Sequence, residues 1–167
     1  MKLLVTGGLG FIGSNFIKNI LENYTNYSIV NLDDERYGSN HLNLTSLKNS
    51  NNYKFVKGNI CDIELCKKLI SESDIVINFA AESHVDRSIL DAKPFMDSNI
   101  IGVYNILEQI KLHKKRLIQI STDEVFGSLS TSFAKEEDVF KPSNPYSASK
   151  ASAELIAYSY FKTYNMN

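Results

Sequence analysis

The sequence predicts an α/β fold: a Rossmann-like doubly wound parallel sheet with strand order 3-2-1-4-5. Three observations carry that reading. Short apolar runs at residues 3–5, 27–32, 53–57, 74–79 and 116–120 alternate with segments whose apolar residues recur at helical spacing. The run at 74–79 is apolar enough for a strand covered on both faces, as a parallel sheet requires. Finally, the chain opens with a strand that breaks into spaced glycines (Gly7, Gly8, Gly10 and Gly13) and passes at once into a helix. That order is the context a dinucleotide fingerprint needs.

The first helix follows from Phe11, Ile12, Phe16, Ile17, Ile20 and Leu21 and is expected to end near Tyr24. The second strand closes on Asp33-Asp34. Residues 38–52 are polar and asparagine-rich, with a stripe of Leu42, Leu44 and Leu47 that predicts a short helix. After the third strand, Asp62 is placed to cap a helix running to about Ser71. Ala80 and Ala81, beyond the fourth strand, are small enough for a ligand to lie against the backbone. The polar segment 82–88 reads equally as a solvated loop. A longer helix is expected after Pro94, carrying Ile100, Ile101, Val103, Ile106, Leu107 and Ile110. The fifth strand opens into Ser121-Thr122-Asp123-Glu124. A loop then runs through Pro142, and Pro145 starts a long final helix.

Composition narrows the function classes. A length of 167 residues fits one domain with a real core, and 43% hydrophobic and 22% charged residues are ordinary globular values. The net charge of −1 gives no electrostatic case for nucleic acid or an anionic membrane as partner. Cys61 and Cys66 match no zinc or redox spacing and read as packing residues, so no metal site is expected. No apolar run approaches membrane-spanning length and no leader precedes the first strand, which together predict a cytoplasmic protein.

The glycines carry the first functional expectation. One permits a tight turn, one lets the backbone approach a pyrophosphate, and one lets helix and strand pack closely. The phosphates then sit on the free N–H groups and positive dipole end of the helix. Asp33 lies twenty residues past Gly13, where a strand-end carboxylate bonds ribose hydroxyls and repels a 2′-phosphate, so NAD is expected over NADP. Arg36 pulls the other way, being a residue type that accepts such a phosphate. Tyr146 and Lys150, at i and i+4, share a helix face. An ammonium beside a phenol lowers a tyrosine pKa from roughly 10 toward that of a usable base. Asp123 and Glu124 fall at the carboxyl end of the fifth strand, where open α/β sheets place their ligands. One protonated and one ionised carboxyl would make an acid/base pair there. Each motif alone also fits a helix surface or a surface turn; their shared sheet edge points to a site.

The spacing Gly7-x-x-Gly10-x-x-Gly13 resembles the extended short-chain dehydrogenase/reductase superfamily. Within it, Gly-Gly-Leu-Gly-Phe-Ile-Gly-Ser-Asn (7–15), Ala-Ala-Glu-Ser-His-Val-Asp-Arg-Ser-Ile (80–89), Ser-Thr-Asp-Glu-Val-Phe-Gly (121–127) and Pro-Tyr-Ser-Ala-Ser-Lys-Ala (145–151) resemble the dTDP-glucose 4,6-dehydratase family. The likeness runs the length of the chain. UDP-galactose 4-epimerases carry serines and alanine after the fifth strand instead, and GDP-mannose 4,6-dehydratases a serine where Asp123 stands.

The resemblance implies a cofactor, NAD, and a role for each residue. Tyr146, helped by Lys150, would take the C4 hydroxyl proton of a nucleotide sugar as hydride passes to NAD. Glu124 would remove the C5 proton and Asp123 would protonate the departing C6 hydroxyl. Hydride would then return to C6, giving a 4-keto-6-deoxy sugar. Thr122 would bond the C4 oxygen, with Ser83 also near the substrate. Besides Gly7, Gly10 and Gly13, the NAD would be lined by Phe11, Ile12, Asp33, Asp34, Glu35, Arg36, Asn59, Ile60, Phe79, Ala80, Ala81, Glu82, Ser98, Tyr146 and Lys150. A homodimer is expected through the helices at 94–113 and 145–164, with Ile100, Tyr104, Leu107, Leu155, Tyr158 and Phe161 as spare apolar surface.

Three departures stand against the family pattern. Asn59 replaces the usual aspartate, Asp34 replaces the usual lysine, and Asn167 falls where a sixth strand and a C-terminal substrate domain would follow. The chain is therefore expected to be the NAD-binding N-terminal portion, residues 1–167, without the substrate domain. Two readings in different classes remain at this point. One is a nucleotide-sugar 4,6-dehydratase acting on dTDP-glucose or UDP-glucose; the other is a non-catalytic NAD-binding module. The intact Thr122-Asp123-Glu124 and Tyr146-x-x-x-Lys150 sets favour the enzyme, because a sensor needs no C5 base.

Overall fold

The computed structural model describes residues 1–129 and 133–167. Five parallel strands form one sheet in the order β3-β2-β1-β4-β5: β1 (Lys2–Thr6), β2 (Ser28–Asp33), β3 (Tyr53–Lys57), β4 (Ile75–Asn78) and β5 (Arg116–Gln119). Chain order reverses direction between β1 and β4. The carboxyl ends of those two strands therefore flank the crevice where doubly wound sheets bind ligands.

Each face of the sheet has its own core. On one, α1 (Phe11–Asn23) and a 3-10 turn (His41–Leu47) bury Ile17, Leu44 and Leu47 against Leu3, Val5, Ile29 and Ile77. On the other, α2 (Ile63–Ser71) and α5 (Val103–His113) bury Cys66, Leu69, Ile70, Ile106 and Ile110 against Leu4, Val30, Leu32 and Val76. Asp62 caps α2, its Oδ1 accepting the Leu65 N–H at 3.0 Å. Burial pushes the Cys66 thiol pKa up to about 12, as befits a packing residue.

Several elements differ from expectation. Segment 82–88 is only half a loop: Val85–Leu90 forms a short helix, α3, and both Glu82 and Ser88 are buried. The long helix begins at Lys93, with Pro94 in the first turn of α4 (Lys93–Met96). It reaches α5 through a π turn, Asp97–Gly102. Leu107 is not spare surface. It is 1% exposed and packs with Val103 and Ala153 between α5 and the final helix, α6 (Pro145–Tyr164). Tyr104, Leu155, Tyr158 and Phe161 are exposed, as expected.

Polar side chains join the strand ends beneath the crevice. Thr6 Oγ1 donates to Asn78 Oδ1, and Asn78 Nδ2 donates to Gln119 Oε1 at 2.8 Å. This row links β1, β4 and β5 and fixes the floor on which the site is built.

Candidate active site

The glycine turn approaches the β4 exit too closely for any side chain. Gly7 has φ +71°, and a Cβ there would lie 2.5 Å from the Ala80 nitrogen. A Cβ on Gly13 would lie 2.5 Å from the Gly7 carbonyl oxygen, so α1 packs directly on the turn. Two side chains from β2 pin the turn: the Gly8 N–H donates to Asn31 Oδ1 at 3.0 Å, and the Leu9 N–H to Asp33 Oδ2 at 2.9 Å. The N-terminus of α1 carries no side-chain cap. Its first-turn N–H groups therefore face the crevice without a helical acceptor, as an anion site requires.

A cavity of about 470 Å³ opens over this turn, within the usual range for ligand pockets. It is lined by Gly7, Gly10, Phe11, Ile12, Gly13, Asp33, Asp34, Arg36, Asn59, Ile60, Phe79, Ala80, Ala81, Glu82, Ser83, Ser98, Tyr146 and Lys150. Glu35 does not line it. Its backbone is left-handed (φ +56°), and its carboxylate pairs outward with Lys57 and His41, which hold its pKa below the usual glutamate value. Tyr37, Ser39 and Gly58 line the cavity without any sequence signal of their own, and His84 and Ser121 line it from motifs that assign them no role.

At the β2 end of the cavity Asp33 is buried and heavily engaged. Besides Leu9, it accepts the Glu35 N–H at 2.9 Å and the Ser39 hydroxyl at 2.7 Å. The two departures at 34 and 59 meet each other: Asn59 Nδ2 donates to Asp34 Oδ2 at 2.9 Å, while its Oδ1 accepts the Cys61 N–H at 2.7 Å. Asp34 Oδ2 also accepts Arg36 Nε at 2.5 Å, which raises the already high guanidinium pKa. The cradle without room for a Cβ, the uncapped helix end and the strand-end carboxylate together fit a dinucleotide.

At the other end α6 delivers Tyr146 and Lys150. Asn144 caps that helix in a reciprocal capping box with Ser147, and Ser88 Oγ accepts the Tyr146 N–H at 3.1 Å. Lys150 is buried and donates to the Ile120 carbonyl at 2.6 Å. Burial pulls its pKa down to about 8, with Glu154 opposing. Thr122 caps a 3-10 turn, Asp123–Phe126, its Oγ1 accepting the Glu124 N–H and donating to Asp123 Oδ1, both at 3.3 Å. Glu124 Oε2 accepts Asn144 Nδ2 at 3.4 Å, tying the carboxylate pair to the start of the tyrosine helix. Thr122, Asp123 and Glu124 do not line the cavity itself but follow Ser121, which does.

A model of the family described as GDP-mannose 4,6 dehydratase matches residues 4–167. The chain belongs to that family. Among curated proteins it is similar to "Low-salt glycan biosynthesis protein Agl12" of Haloferax volcanii, 44% identical over 99% of this chain and 54% of that protein's length. A dTDP-glucose 4,6-dehydratase of Mycolicibacterium smegmatis is 40% identical over 99% of this chain and 50% of its own. The solved dTDP-glucose 4,6-dehydratase of Bacillus anthracis, in complex with NAD, superposes with a TM-score of 0.91 at 45% identity, covering 99% of this chain and 52% of that one. The chain thus spans about half the length of the relatives it matches. NAD is the cofactor of this family fold, and the α/β sheet order 3-2-1-4-5 is that of its N-terminal domains.

One buried residue that sequence reasoning missed holds the family site together. Asn99, in the π turn, donates to the Glu82 carbonyl and to Ser149 Oγ, both at 2.9 Å, and its Oδ1 accepts the Glu82 N–H at 2.8 Å. The β4 exit is thereby bolted to the tyrosine helix. Among the described residues no cluster of histidine, cysteine or carboxylate side chains is arranged to hold a metal ion. Nor is any helix there long and apolar enough to cross a membrane.

Proposed function

We propose that this chain is the cofactor-binding and catalytic half of a nucleotide-sugar 4,6-dehydratase that converts dTDP-glucose to dTDP-4-keto-6-deoxyglucose. The observation that carries the reading is the joining of Glu124 to Asn144, the cap of the helix bearing Tyr146 and Lys150. It brings a carboxylate pair and a phenol-ammonium pair to one sheet edge. NAD, held by the glycine turn, Asp33 and the β4 exit, would supply the hydride acceptor for oxidation at C4 and, once reduced, the hydride donor for C6.

The chain's own residues move the protons. Tyr146 takes the C4 hydroxyl proton. Lys150, deprotonated more readily than an exposed lysine because it is buried, stands beside it on the helix and favours the phenolate whenever it is charged. Thr122 holds the C4 oxygen. A ketone at C4 acidifies the C5 proton, which Glu124 removes, and Asp123 protonates the C6 hydroxyl so that it leaves as water. The pair divides the work only if one carboxyl is protonated while the other is ionised. Asp123 favours dehydration of dTDP-glucose over GDP-mannose, whose dehydratases carry serine there. UDP-glucose is the second candidate, because plant-type UDP-glucose dehydratases share a similar Thr-Asp-Glu. The exposed Tyr104, Leu155, Tyr158 and Phe161 support a homodimer through α5 and α6.

The test is to join the chain to the C-terminal half of a dTDP-glucose 4,6-dehydratase relative and incubate it with dTDP-glucose, UDP-glucose and GDP-mannose in turn. Loss of one water from dTDP-glucose, read by mass spectrometry, is the expected result. Epimerised sugar of unchanged mass would overturn the reading. Sedimentation of the folded chain at tens of micromolar is expected to show a dimer; a monomer would remove that part.

A further inference from the structure

The adenosine end holds an arginine that ought to welcome a 2′-phosphate, in a site whose family uses NAD. Arg36 follows β2 by three residues, where NADP-binding folds place the arginine that meets that phosphate. Here it is already occupied. Its Nε lies 2.5 Å from Asp34 Oδ2, and its Nη1 lies 3.8 Å from Glu82 Oε1 across the cavity mouth. Asp34 is itself held in place from behind by Asn59 Nδ2 at 2.9 Å.

We propose that Asp34, clamped by Asn59 and neutralising Arg36, is the residue that excludes NADP from this site. The inference rests on the reading of the cavity as a dinucleotide site. Asp33, the usual discriminator, has its oxygens engaged by Leu9, Glu35 and Ser39 and serves largely to build the turn. Asp34 is only about one-third exposed and lines the cavity beside the guanidinium. A 2′-phosphate approaching Arg36 must therefore displace one carboxylate and sit beside a second. Both costs are electrostatic, and the first, the larger because Asp34 is in direct contact with the guanidinium, vanishes if position 34 loses its charge. Glu35 does not line the cavity and is paired with Lys57 and His41 instead.

The experiment is calorimetric titration of NAD and NADP into the 167-residue chain and its variants, with circular dichroism to verify folding. Asp34→Asn keeps the shape and removes the charge. It is expected to raise the ratio of NADP to NAD affinity about tenfold, the scale of one charge-assisted hydrogen bond. Asp34→Ala serves as the second variant should the amide still hold Arg36. Adding Arg36→Ala to either is expected to abolish the gain. An unchanged NAD-to-NADP ratio in both folded variants would overturn the proposal, as would a gain that survives loss of Arg36. Wild-type chain that binds NADP as well as NAD would overturn it too. If the folded wild-type chain binds neither nucleotide, the dinucleotide reading falls together with the inference.

Discussion

Lys150 shows how one residue ties chemistry to stability. Its ammonium is buried against the Ile120 carbonyl, and burial lowers the folded-state pKa to about 8 from 10.5. The charged form therefore costs stability in full below pH 8, and the cost fades as pH rises toward 10.5. By linkage a shift of that size is worth about 3 kcal/mol. Lys150→Met is expected to be more stable than wild type near neutral pH, with the advantage shrinking between pH 8 and 10.5. Urea melts of both proteins across that range check it; a constant difference contradicts it. Comparing the two cancels the half-buried Cys61 and buried Cys66 thiols, whose raised pKa values lower stability above about pH 9 in each. The residue itself was legible, since Tyr-x-x-x-Lys after a glycine turn points to it. Its environment was not, because burial depends on α6 bringing the side chain to the Ile120 carbonyl just past the end of β5.

Among the elements, the strands and the glycine turn were readable because buried parallel strands leave apolar runs and close backbone approach demands glycine. The helix through residues 93–113 was readable as a helix but not in its phase. Its π turn inserts an extra residue, so that Ser98 faces the cavity while the adjoining Asn99 is buried against Glu82 and Ser149. A strict 3.6-residue period cannot anticipate that, and an asparagine among isoleucines reads as surface. Leu107 was misread for a related reason: its stripe faces α6 as well as the sheet. Asn99→Ala is expected to lose about 2–4 kcal/mol, since it leaves the buried N–H and C=O of Glu82 unpaired. It should also weaken NAD binding through the displaced β4 exit. Chemical denaturation paired with NAD titration tests both, and a loss under about 1 kcal/mol would show that water replaces the amide.

On the scale of the whole molecule, β5 lies at one edge of the sheet, with Ile118 exposed and the Leu117 N–H donating to the Asn167 carbonyl at 3.0 Å. An apolar edge strand invites association. The unliganded 167-residue chain is therefore expected to melt below about 65 °C, near the upper mesophile limit, and to gain strongly from NAD by mass action. Scanning calorimetry with and without NAD checks this; a higher melting point without cofactor contradicts it. The central claim is that one sheet edge carries two separable sets of proton-transfer groups, Tyr146 with Lys150 for C4 and Asp123 with Glu124 for C5 and C6. Its most direct test follows NADH by stopped-flow absorbance after mixing with dTDP-glucose, in the chain joined to a relative's C-terminal half. Glu124→Gln is expected to accumulate enzyme-bound NADH and stall. Tyr146→Phe is expected to form almost none, each variant losing about 10² to 10⁴-fold in turnover. Indistinguishable traces from the two variants would contradict the account.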